Sequence, residues 1–207
     1  MSGKSPCLGE SEYVVRSAIY PKVPIPSGSD PGLFAAALLE FRKSGNRFLT
    51  SVGWCSYYER VDDAHAYGCQ VAAAGNARIL DKSGSVPIPV DQARHYLGCY
   101  LMSVGDILSL CNEIYCCAVE HCPEDDEESH CHICLVERDS LKGNPPKKQK
   151  RAILITQLWL IAHGPERHVC DCDADVAELL SGIELDPHWP RMDRKSMLTA
   201  CFPDACG

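Results

Sequence analysis

Two short clusters carry the chemistry for which this sequence is best equipped: His130-Cys131-His132-Ile133-Cys134 and His168-Val169-Cys170-Asp171-Cys172. Zinc takes four thiolate or imidazole ligands in a tetrahedron, and a Cys-x-x-Cys spacing lets one tight turn offer two sulfurs to one ion. Cys131 and Cys134 have that spacing. The expected ligands are Cys131, Cys134, His168 and Cys170, with Cys172 able to replace either member of the second pair and His130 and His132 as weaker candidates. A further group comprises Cys111, Cys116, Cys117, His121 and Cys122. Cys117 and His121 are four apart and share a face if the segment is helical. With Cys99, Cys201 or Cys206 they could hold a second ion, or they pack as small core residues.

A rival chemistry sits at Gly53-Trp54-Cys55-Ser56-Tyr57-Tyr58, a cysteine before aromatic residues near a turn, similar to a local pattern of viral papain-like proteases. A thiol nucleophile needs a base and an oxyanion pocket. His65, His95 and His163 are the candidate bases. A core thiol is the commoner role for such a cysteine, and no HExxH motif supports a zinc hydrolase, so the enzymatic reading is the lesser one.

Fourteen cysteines in 207 residues mean different things in different compartments. The polar start, Met1 to Cys7, lacks the apolar stretch of a secretory signal. The longest apolar run, Ala152 to Ala162, is about half of what a bilayer requires. The expectation is an intracellular chain without a membrane partner, where clustered thiols bind metal more often than they form disulfides. A net charge of -8 disfavours non-specific nucleic-acid binding.

The elements that must position these residues are read from pattern. Tyr13 to Tyr20 is a strand in an N-terminal arm, residues 1–29, closed by Pro21, Pro24 and Pro26. Asp30 and Pro31 open a helix that Gly45 ends. Phe48 to Val52 and Cys69 to Ala73 read as strands, with turns at Gly75-Asn76 and Ser83-Gly84-Ser85. Apolar residues from Tyr96 to Cys117 suggest a long helical region after an Asp91 cap, with a kink at Gly105 and a second cap from Ser103 with Asp106. Ile153 to Ile161 reads as a buried strand, and Ala174 to Ser181 as a helix. The expected fold is α+β: a small mixed sheet with several helices and a zinc-stabilised, treble-clef-like C-terminal part, with residues 30–207 as one composite domain.

Pro145-Pro146-Lys147-Lys148-Gln149-Lys150-Arg151 has the composition of a basic import signal kept extended by proline, which places the protein in the nucleus with the cytoplasm as the alternative. Val176, Leu179, Ile183 and Leu185 have export-signal spacing that an ordinary amphipathic helix also gives. Between Ser51 and Gly164, with gaps, the chain resembles the adenovirus early-region-4 34K proteins. The resemblance is carried by Ser51-Val52-Gly53-Trp54, the cysteine-bearing segment through Cys117, His130-Cys131-His132-Ile133-Cys134, Ser140-Leu141, and Gln157-Leu158-Trp159 before Gly164. It lacks that family's longer cysteine-bearing second half. The resemblance implies a zinc-dependent nuclear adaptor, viral in origin, that recruits a cullin ubiquitin ligase to host proteins through an elongin-binding helix. Ile107, Leu108, Cys111 and Tyr115 are the nearest equivalents of that helix.

Overall fold

The computed structural model describes residues 7–20, 39–124, 127–138, 146–167 and Glu178. Seven strands form one sheet: β1 (Tyr13–Tyr20), β2 (Arg42–Ser44), β3 (Arg47–Trp54), β4 (His95–Ser103), β5 (Tyr115–His121), β6 (His130–Glu137) and β7 (His163–Arg167). Their order is β5-β6-β3-β1-β4-β7, with β2 paired to β3, and the pairings between strands are antiparallel. Three α-helices with described bounds accompany them: α1 (Val61–Lys82), α2 (Val104–Ser109) and α3 (Lys147–Ile161). The class is α+β. None of the described helices is long and apolar enough to cross a membrane.

The sheet is packed on both faces. On one, Val14, Tyr100, Met102, Ile133 and Leu135 meet Leu154, Leu158 and Trp159 of α3 and Ile107 of α2, and Tyr100 lies edge-on to Trp159 at 5.8 Å. On the other, Val15, Tyr96, Cys99 and Leu101 meet Ala64 and Ala72 of α1. Small residues set that approach: a Cβ on Gly68 would sit 2.1 Å from the Tyr96 ring. The buried Tyr96 hydroxyl in turn meets His65 Nδ1 at 2.9 Å.

Several expectations hold and several fail for identifiable reasons. The Tyr13–Tyr20 strand, the Phe48–Val52 strand, the turn at Ser83-Gly84-Ser85 and the Ser103 cap, which accepts from Asp106 N, are all present. β1 lies between β3 and β4 in the sheet. The helix expected to end at Gly45 has instead a strand at Arg42–Ser44, and Gly45-Asn46 is a two-residue hairpin loop with Gly45 at φ +59. A left-handed glycine serves a helix C-terminus and a hairpin equally well. The start of that expected helix, residues 30–38, lies outside the described residues.

Cys69–Ala73 and Gly75-Asn76 are helical, inside α1, because their small residues face the sheet rather than making a turn. The expected long helix from Tyr96 to Cys117 is two strands joined through α2. β4 is largely apolar from Tyr96 to Met102 because both its faces are buried there, and a continuous apolar run does not distinguish the two periods. Ile153–Ile161 is helical, its buried Leu154 and Leu158 one helical turn apart despite the β-branched neighbours. The expected helix Ala174–Ser181 lies outside the described residues apart from helical Glu178.

Candidate functional site

The chelating turn expected at Cys131 and Cys134 is not formed. Both residues lie within continuous strand β6, where side chains alternate between faces, so positions three apart diverge. Cys131 enters the core face beside Val52 and Ile133, while Cys134 faces the opposite side near Glu120 and Arg47. Both are fully buried. Burial pushes each thiol up to about 12, with Cys122 adding to the rise at Cys131 and Glu120 at Cys134. The pair does not present two thiolates to one ion. His168, Cys170 and Cys172 lie outside the described residues, and among the described residues no group of three or more His, Cys, Asp or Glu is placed to hold a metal.

The second cluster is spread along β5, not along a helix. Cys117 and His121 do share a face, through the strand alternation, but His121 Nε2 pairs with Glu128 O at 2.7 Å and its ring packs on Trp54 and Tyr57. Cys117 is buried in the core, and Cys111 faces Cys116 across an isolated bridge. Nine described cysteines form no disulfide, and Cys69 is disulfide-bonded.

Cys55 occupies a short 3-10 turn, Cys55–Tyr57, and is 2% exposed in the core beneath α1. Of its candidate bases, His65 is bonded to Tyr96, His95 meets Val90 O at 3.0 Å, and His163 is in edge strand β7. Ile107 and Tyr115 are buried, and α2 ends before Cys111, so this segment does not place a leucine and a cysteine on one helix. Lys147–Arg151 is the first turn of α3 rather than an extended stretch. Lys147 pairs with Glu137 at 2.5 Å, Lys150 pairs with Glu113, and Arg151 lies 3.9 Å above the Phe48 ring.

A different site emerges from the topology. β1 pairs with β3 only at Val14 and Val15, opposite Trp54 and Gly53. The other end of the same edge of β3 carries β2. Over the split between them lies a recess of about 430 Å³, walled by β1, β3 and the α1 side chains Tyr67, Val71 and Arg78. Those three are spaced to share one helix face. Arg16, Arg42 and Arg94 complete a lining of four guanidiniums, with His130, His132, Glu40 and Glu124 also present.

Arg16 donates Nη1 to Ser51 O at 2.6 Å, and burial lowers its guanidinium to about 10 against the opposing pull of Glu40 and Tyr67. Burial also raises Tyr67, together with its hydrogen bond to Glu127. His130 Nδ1 meets Cys122 O at 2.9 Å, and its ring stands 4.6 Å from His132. Burial and the neighbouring His130 lower His132. Glu120, His132 and Ser51 form a row across β5, β6 and β3. Glu120 is held by Arg47 at 2.7 Å, and no hydrogen bond joins His132 to either neighbour in the row. The row has no nucleophile and base in contact.

The recess was not foreseen from sequence, since its arginines are scattered from Arg16 to Arg94 and only the sheet pairing together with the packing of α1 unites them. The one local signal was Gly75-Asn76 inside an otherwise helical segment, which marks where Arg94 crosses α1. No family model, curated protein or solved structure matches the chain.

Proposed function

We propose that this chain is a viral regulatory protein that acts in the host nucleus by binding other proteins, and not by catalysis. The observation that carries this reading is the position of Cys55, closed into the core beneath α1 and not among the residues that line the recess. A nucleophile must reach its substrate, and a 2% exposed thiol does not. The nuclear setting rests on the 34K resemblance, because the basic stretch is engaged in α3. Zinc belongs to the proposal through His168, Cys170 and Cys172, with at most one sulfur of β6 joining them.

Cys55→Ala tests the reading. The variant, expressed in cells beside wild type and purified by affinity from nuclei, should recover the same partners in the same amounts. Loss of a peptide-cleaving activity in the variant, present in wild type, would establish the protease instead. Elongin and cullin subunits among the recovered proteins would support the ligase-adaptor form; their absence would leave an adaptor of another kind.

A further inference from the structure

Among the described residues, the recess between β1 and β3 holds more positive charge than its carboxylates balance. Four guanidiniums face two carboxylates, Glu40 and Glu124. Glu40 is taken up by Arg42 at 3.8 Å and by its attraction to Arg16, and Glu124 lies 3.4 Å from His130. Arg78 and Arg94 have no carboxylate partner among the described residues. Among the described residues, two guanidiniums without a carboxylate partner therefore line one concavity in a chain whose net charge is -8. Such convergence is unfavourable until an anion enters, and a concave, walled site strengthens the field that draws one in.

The placement of Arg94 is built into the fold. Asn76 clamps its backbone twice, accepting from Arg94 N at 2.7 Å and donating to Arg94 O at 2.9 Å. Its side chain runs across α1 where Gly75 has no Cβ; a methyl there would meet Arg94 Cδ at 2.4 Å and Nη1 at 2.5 Å. A glycine within a helix is unfavourable against alanine, so its presence here calls for a packing reason. Arg16 is likewise fixed, by Ser51 O. These are positioned donors rather than loose surface side chains.

One carboxylate would be satisfied by one guanidinium fork. A phosphate monoester brings close to two negative charges and three acceptor oxygens, and forked guanidiniums match that geometry. The volume lies within the range of small-ligand sites, and Val15, Ile19, Val71 and the Tyr67 ring offer a surface for the carbon skeleton bearing the phosphate. We infer that this recess binds a phosphate monoester, with Arg78 and Arg94 holding the dianion and Arg16 at its side. The ester comes either from a phosphorylated serine of a partner protein or from a free nucleoside phosphate.

Calorimetric titration of the full chain tests this, using O-phosphoserine, a short phosphoserine peptide, adenosine monophosphate, and the unphosphorylated form of each. The phosphate-bearing probes should bind and their counterparts should not. Arg78→Gln and Arg94→Gln should each weaken binding by about tenfold, and Gly75→Ala, which displaces Arg94 without removing charge, should weaken it as well. Tighter binding of the peptide assigns a protein source, and tighter binding of the nucleotide a free one. Absence of binding by every phosphate probe overturns the inference, as does binding that survives in the Arg78→Gln, Arg94→Gln double variant. If the variants melt early, phenylglyoxal modification of wild type serves instead: O-phosphoserine should protect Arg78 and Arg94, and equal modification with and without it overturns the site.

Discussion

Individual cysteines in this chain differ in chemistry because the sheet sorts them by face. Cys117 is buried, and burial, reinforced by Cys111 and Cys116, pushes its thiol up to about 12 from an ordinary value near 9. Between those values the unfolded chain has released a proton that the folded chain retains. The folded state then binds more protons, so stability falls as pH rises. Denaturant unfolding measured from pH 8 to 11 should show this decline, and Cys117→Ala should flatten the slope by up to one proton while lowering stability at pH 8 through the cavity it leaves. An unchanged slope would mean that Cys117 ionises freely in the fold. Cys111 and Cys7 are exposed, so they should alkylate before the other described cysteines in the native protein.

At the scale of elements, the joints between helices and sheet are held by a few polar side chains. Asn112 Oδ1 accepts from Ile114 N and Tyr115 N, both at 2.9 Å, and its Nδ2 donates to Lys150 O at 3.0 Å. It thereby fixes the entry to β5 against the first turn of α3. Asn112→Ala should cost about 2 kcal/mol, read as a lower denaturant midpoint with an unchanged slope. Asn112→Asp keeps the two acceptor bonds and should lose less; equal losses would place the whole effect in the Lys150 contact. Such joints explain what was legible beforehand. β1 could be read because prolines end it, and the hairpin strand β3 because its residues are β-branched and aromatic between turn signals. α1 was obscured by Gly68 and Gly75, which serve close packing on Tyr96 and Arg94 rather than turns. β4 was obscured by burial on both faces, and the Cys131 to Cys134 spacing misled because a strand and a knuckle share it. The arginine recess had no signature, since sequence separation conceals what sheet pairing and the packing of α1 assemble.

The whole molecule bears on the metal question through its core. The described sheet is closed on both faces by side chains such as Tyr100, Met102, Ile133 and Leu158, all without measurable exposure. Small zinc domains are unfolded without their ion because the ion replaces a core they lack. Here the core exists in side chains, so zinc held by His168, Cys170 and Cys172 would order its own surroundings and not the sheet. Chelation of purified protein should therefore remove metal while leaving the main thermal transition within about 2 °C, a shift that corresponds to no more than about 1 kcal/mol for a chain of this size. Elemental analysis should find zinc unchanged in Cys134→Ser and lost in the Cys170→Ser, Cys172→Ser double variant. Collapse of the main transition on chelation would show that metal supports the sheet itself. Loss of zinc in Cys134→Ser would restore β6 as a ligand strand, with its second sulfur drawn from across the sheet rather than from Cys131.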